Sequence, residues 1–210
     1  MEYYTIMICA MILNSLILTG FLLLMISDLL WTKGLGPASA VRMSGYMIIG
    51  CAFGLFVLAP DPSWPLPIRT GLAERMAGWR PGSALAAIFM VLAAVSSILL
   101  FWSVFLEIGI IRKKLGLVSS DIVSSGTYGL CRHPGFWWLT FLVLAIGALK
   151  GLNAYFAPVS MTIFLDLLLI LFQDRYTFPK VFPRYDDYKE SVPFLLPGRR
   201  PGRLTRNQGK

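Results

Sequence analysis

Charge is what this sequence has least of. Of its 210 residues only 14% are Asp, Glu, Lys or Arg, against 56% hydrophobic, where soluble proteins carry roughly 25% charged residues. That balance excludes an ordinary water-soluble domain. Histidine occurs once, as His133. The three cysteines, Cys9, Cys51 and Cys131, lie far apart with no CxxC pair and no Cys/His cluster, so neither a structural metal nor a disulfide framework is expected. The start, Met1-Glu2-Tyr3-Tyr4, lacks the basic segment of a signal peptide, so the first apolar run is expected to be retained.

What is present is a series of long apolar runs. About 20 residues rising about 1.5 Å each cross a hydrocarbon core of about 30 Å. Runs at about 3–31, 40–60, 83–111, 135–149 and 152–173 predict an all-α polytopic membrane protein. It would have five transmembrane helices in one domain, residues 1–197. The run 135–149 is short for a full crossing. Lys150-Gly151 makes a tight hairpin of the last two runs, and Ala157-Pro158 is expected to start or kink the second. Between 178 and 197, Tyr185, Tyr188 and Val192 share one face of a short helix that Pro193 stops. This predicts a helix lying at the membrane interface. Residues 198–210 are basic with no apolar face, a tail expected to be disordered and drawn to anionic lipid. No aromatic platform accompanies their charge, so nucleic acid is not an expected partner.

Orientation follows from the basic residues. With five crossings, Lys33, Arg42, Arg112, Lys113, Lys114, Arg132 and the whole basic tail fall on one side. Only Arg69, Arg75, Arg80 and Lys150 fall on the other. The reading is N-terminus outside, C-terminus and His133 in the cytoplasm. The spacings Gly50/Gly54 and Gly147/Gly151 allow close helix approach and are expected to serve internal packing; they imply no dimer, and the oligomeric state stays open.

Ionisable groups in a bilayer are costly and point to function by default. Asp28 and Glu107 lie near helix ends, where they can reach water or meet Lys33 and Arg112. Asp166 lies midway along the last span, as a protonated packing residue or a contact for a polar ligand group. The richest stretch is Gly126-Thr127-Tyr128-Gly129-Leu130-Cys131-Arg132-His133-Pro134-Gly135-Phe136-Trp137-Trp138. Pro134 suits the first turn of a new helix, whose free N–H groups could meet an anion. Arg132 adds a fork of donors. Gly126 and Gly129 let backbone approach a ligand closely. Tyr128, Phe136, Trp137 and Trp138 offer aromatic walls for a flat ring or a sulfonium. Such a site would hold a charged, partly aromatic molecule at the membrane surface.

The pattern Gly126-x-Tyr128-x-x-x-Arg132-His133-Pro134-x-Phe136 resembles the signature of integral-membrane methyltransferases, the isoprenylcysteine carboxyl methyltransferases and related phospholipid N-methyltransferases. The resemblance continues through a helix hairpin, an acidic pair here replaced by Gln173-Asp174 or Asp174-Arg175, and Phe182 to Val192-Pro193. It covers about residues 110–197. It implies S-adenosylmethionine bound on the cytoplasmic side between Gly126, Tyr128, Arg132, His133, Pro134, Phe136 and Trp137 and the tail tyrosines Tyr185 and Tyr188. It also implies a lipid-like acceptor entering from the bilayer. Methyl transfer is an in-line displacement governed by orientation and desolvation. Arg175 could aim a carboxylate acceptor; Asp174 or His133 could take a proton from an amine or thiol. The segment from Asp174 to Pro197 is also similar to the end of NADPH-dependent sterol reductases, which are about twice as long. A non-catalytic binding or assembly protein on the same scaffold is the third reading.

Overall fold

The computed structural model describes residues 2–58, 81–117 and 121–198, and every regular element among them is helical. The expectations for the loop 61–82 and for the tail beyond 198 lie almost wholly outside these residues. Helix α1 (Glu2–Thr32) turns through Gly34, at φ +67°, into α2 (Ala38–Leu58). Helix α3 (Ser83–Phe101) passes through a π-helical turn, Trp102–Glu107, into α4 (Ile108–Leu115), which ends on a left-handed Gly116 with Arg112, Lys113 and Lys114 in its last turn. Basic side chains there complement the negative end of the helix dipole.

After the motif loop, α5 (Pro134–Lys150) and α6 (Leu152–Phe172) form the expected hairpin around Gly151, at φ +97°. A second π turn, Gln173–Thr177, leads into the short α7 (Phe178–Val181), with α8 (Tyr185–Ser191) beyond it. Pro158 sits inside α6 and does not start it.

Four helical stretches are long and apolar enough to cross a membrane: Met11–Thr32, Ala38–Leu58, Ser83–Leu115 and Tyr155–Val181. The fifth expected span, α5, has 17 residues, about 25 Å at 1.5 Å per residue and thus short of a hydrocarbon core of about 30 Å. It is nonetheless central to the bundle, with Leu142, Val143, Ala145 and Ala148 buried. The core gathers Leu13, Ile17, Phe21 and Leu24 of α1, Ala52 and Phe56 of α2, Val143 of α5, and Tyr155, Val159 and Leu169 of α6.

The close helix approach expected at Gly50 and Gly54 lies elsewhere, while Gly147 is buried in α5. Side-chain atoms on Gly50 or Gly54 would meet nothing within 4 Å, and both glycines are exposed. The contact is at Gly20 and Gly45, where a Cβ would come within 2.5 Å of Ile49 Cγ1 and 2.9 Å of Leu24 Cδ2 respectively. Gly45→Val should destabilise the protein in detergent by about 1–3 kcal/mol through overpacking, while Gly54→Ala should leave the unfolding midpoint unchanged. Equal midpoints for the two variants would show that the Gly20–Gly45 contact does not hold the hairpin.

Candidate functional site

The site is built where three distant pieces of chain meet. The hairpin α5–α6 returns the chain to the end at which it began, so that Asp174 in the second π turn lies beside Arg132 and His133. Asp174 Oδ1 accepts a hydrogen bond from the Tyr185 hydroxyl at 2.8 Å. Arg132 Nε is 3.1 Å from the same oxygen and His133 Nε2 is 3.6 Å from it. Both nitrogens are buried, and Asp174 is their charged neighbour although neither contact has the geometry of a hydrogen bond. The carboxylate therefore neutralises Arg132. A π turn adds one residue to a helical turn and rotates the helix beyond it; here Asp174 is buried while its neighbour Arg175 is exposed.

Pro134 occupies the first turn of α5, with His133 as its cap. The imidazole is stacked on Phe178 at 5.9 Å and edge-on to Phe194 at 5.1 Å. The Arg132 guanidinium lies 5.6 Å from the Phe194 ring. Burial lowers the His133 pKa below its ordinary 6.5, outweighing the upward pull of Asp174, so the ring is neutral at pH 7. Burial, reinforced by the bond to Asp174, raises the Tyr185 pKa; the phenol stays a donor. The Cys131 thiol is also pushed up by burial, which disfavours a thiolate nucleophile.

The glycines and Tyr128 of the motif serve a second purpose. Thr127 donates both its N–H, at 2.6 Å, and its hydroxyl to Glu107, the last residue of the first π turn. Gly126, at φ +67°, makes this possible: a Cβ there would lie 1.9 Å from Glu107 Oε1. The Tyr128 hydroxyl donates to the Ser103 carbonyl at 2.9 Å, within the same π turn, and the Tyr128 carbonyl accepts from the Tyr188 hydroxyl at 2.6 Å. The close approach at Gly126 is thus to a carboxylate of the protein. Glu107 pairs with the motif loop and not with Arg112.

These elements enclose a cavity of about 640 Å³, within the range of small-molecule sites. Of the expected cofactor residues, Tyr128, Arg132, His133, Pro134, Phe136, Tyr185 and Tyr188 line it; Gly126 and Trp137 do not. The Trp137 indole N–H instead donates to the Leu195 carbonyl at 2.8 Å, clamping the C-terminal segment. Trp138 is likewise away from the cavity, as are Asp174, which stands behind Arg132 and His133, and the exposed Arg175. Arg175 is therefore not placed to aim an acceptor held in this cavity.

Sequence spacing gave no sign of the opposite wall. Asp28 pairs with Arg42 at 3.2 Å and accepts from the Gln173 amide at 2.9 Å, so its partner is Arg42 across the α1–α2 turn and not Lys33. Arg42 also lies 4.6 Å over the Trp31 ring. Asp28, Trp31, Arg42, Arg112 and Gln173 all line the cavity. Its remaining wall is apolar, with Phe21, Leu24, Phe53, Leu139 and Leu142. The basic residues Arg42, Arg112 and Arg132 thus share one end of the bundle.

Among the described residues no three His, Cys, Asp or Glu cluster as a metal site would require. No family model matches the chain, and no solved structure does. A curated protein, the nickel-cobalt-cadmium resistance protein NccN of Alcaligenes xylosoxydans xylosoxydans, is 24% identical over 82 residues, 39% of this chain and 38% of that protein. The match thus spans about two fifths of the relative's own length.

Two outcomes follow from the geometry. Gly126→Ala should destabilise the fold by about 2 kcal/mol or more, since it combines a strained φ with a clash; Thr127→Ala, which removes only donors to Glu107, should cost less in the same unfolding assay. The second concerns pH. A histidine harder to protonate folded than unfolded loses stability as pH falls below 6.5, by at most about 1.4 kcal/mol per pH unit. Between pH 7 and 5.5 the wild type should therefore lose stability relative to His133→Asn. Parallel curves for the two proteins would contradict a buried neutral His133.

Proposed function

We propose that this protein transfers a methyl group from S-adenosylmethionine to a lipophilic or amphiphilic acceptor at the membrane surface. The observation that carries the reading is the placement of Arg132 and His133, braced from behind by Asp174, in the wall of a cavity that also has a broad apolar wall of Phe21, Leu24, Phe53, Leu139 and Leu142. A charged cofactor from water and an apolar acceptor from lipid would find their own surfaces in such a space.

The residues fit the cofactor. Arg132 would hold its carboxylate, charge-assisted bonds being the stronger ones. His133, neutral and flanked by Phe178 and Phe194, would accept or donate one bond to its polar edge. Tyr128, Tyr185 and Tyr188 would give it aromatic surface. When bound, S-adenosylmethionine supplies an electrophilic methyl group on a sulfonium. The contribution of the chain is to orient and to exclude water. Asp174 and Tyr185 would fix the direction of Arg132 and His133, which makes Asp174 a positioning residue. In this reading the protein crosses the membrane five times, α5 included, with the C-terminus and the site on the cytoplasmic side. The partial likeness to NccN alone would carry a role in metal resistance, and no cluster of ligands among the described residues adds to it.

Calorimetric titration of the purified protein with S-adenosylmethionine, its demethylated product and NADPH tests the reading. S-adenosylmethionine and its product should bind. Arg132→Gln and His133→Ala should each weaken that binding by about tenfold or more, the scale of a lost charge-assisted hydrogen bond. Arg175→Ala should leave it within about twofold, as expected for an exposed side chain outside the cavity. Binding of NADPH alone would sink the proposal.

A further inference from the structure

One ionisable group lining the cavity remains unassigned by the Arg132–His133 end. Asp166, Leu169 and Ile170 of α6 and Gln173, the first residue of the π turn that continues it, all line the cavity. Their spacing of three, four and seven residues puts them on one helix face. Phe164 and Leu168, on the other face, are exposed at 58% and 39%. Seven residues of helix, about 10 Å along its axis, separate Asp166 from Gln173, whose amide reaches Asp28. Asp166 is therefore set well away from the cluster at the polar end.

The other acids at the cavity wall are engaged, Asp28 by Arg42 and Gln173 and Asp121 by contacts of its own, its carbonyl accepting from Arg112. Asp166 makes no hydrogen bond or ion pair among the described residues, and neither does the hydroxyl of Tyr46, which lines the same cavity. An unpaired carboxyl in an apolar wall is costly to keep and is relieved by a cation or a strong donor. The cavity thus has an acid with no hydrogen-bond or ion-pair partner among the described residues where a carboxylate acceptor would need a cation, and Arg175, the residue suited to aim a carboxylate, is outside it.

We propose that Asp166 is the anchor for the nitrogen of a lipophilic amine, whose alkyl chain lies along the apolar wall of Phe21, Phe53 and Leu139. The carboxylate accepts from the ammonium, and the Tyr46 hydroxyl offers a second polar contact at the same cavity. An alcohol gains a hydrogen bond there but no ion pair, and a fatty acid meets a like charge. That the amine is the methyl acceptor rests on the methyl-transfer reading: the ammonium gives its proton to the Asp166 carboxylate, and the freed nitrogen lone pair takes the methyl as the S–C bond breaks and S-adenosylhomocysteine leaves; that the amine binds rests on the cavity alone.

Native mass spectrometry of the full-length protein released from phosphatidylcholine nanodiscs, loaded with dodecylamine, dodecanol or dodecanoate, tests it. The wild type should retain dodecylamine at least about tenfold better than dodecanol, the gain of an ion pair over a hydrogen bond from a neutral donor, and dodecanoate least. Asp166→Asn, which keeps the shape, should remove the preference for the amine. Equal retention of amine and alcohol by the wild type overturns the proposal without need of any variant, as does a preference that survives in Asp166→Asn. Calorimetry with S-adenosylmethionine on the same preparation separates the two claims. Amine preference without cofactor binding refutes methyl transfer and upholds the amine site; cofactor binding without amine preference does the reverse.

Discussion

The carboxylate of Asp174 is the point on which the site depends. One oxygen faces Arg132, His133 and the Tyr185 hydroxyl, and so joins the motif loop, the end of α6 and the C-terminal helix α8. A buried arginine is tolerable only beside an opposite charge. Without Asp174 the chain would hold an uncompensated cation, and α8 would lose the bond that docks Tyr185. The rest of the docking is apolar and backbone in kind. Tyr185, Tyr188 and Val192 pack with Ile122, Phe178 and Phe182, and the Arg132 N–H donates to the Pro193 carbonyl at 3.0 Å. The carboxylate sets direction, and the aromatic cluster supplies the burial.

Two π turns make the arrangement possible. The turn Gln173–Thr177 separates the fates of adjacent residues, burying Asp174 and exposing Arg175. The turn Trp102–Glu107 gives the motif loop its seat, with the Ser103 carbonyl bonded by Tyr128 and the Glu107 carboxylate bonded by Thr127. Each loosened turn thus faces the motif from a different long helix, in keeping with the frequent use of such insertions at functional sites. The motif glycines and tyrosine hold the loop in place, which leaves Arg132 and His133 as the members of the motif free to meet a ligand.

Much of this fold was legible from hydrophobicity, because the solvent of a membrane helix is read by length. The runs at 3–31 and 152–173 correspond to Glu2–Thr32 and Leu152–Phe172, and the tail helix followed from the period of Tyr185, Tyr188 and Val192. The proximity of Asp174 to His133 was legible too, since a tight hairpin must return the chain. Other features leave no local trace. The bond from Gln173 to Asp28 spans 145 positions, and polar partners at that distance are chosen by the packing of helices, which sequence spacing does not encode. Arg175 reads as well as Asp174 in an acidic pair until a π turn decides which one faces inward. Gly50 and Gly54 have the spacing of a packing motif, yet the close contact falls at Gly20 and Gly45, where the side chains of Leu24 and Ile49 fill the space.

The proposed chemistry needs a cofactor from water and an acceptor from lipid to meet in one cavity, and the amphipathic walls around Arg132, His133 and Asp166 supply both surfaces. Methyl transfer can be observed without knowing the acceptor. Purified protein would be incubated with lipid extract from native membranes and S-adenosylmethionine carrying a labelled methyl group, and the label followed into material that partitions into organic solvent. Label accumulating there with the wild type and not with His133→Ala is the predicted result; a protein that binds the cofactor under these conditions yet leaves every extracted lipid unlabelled would contradict the account.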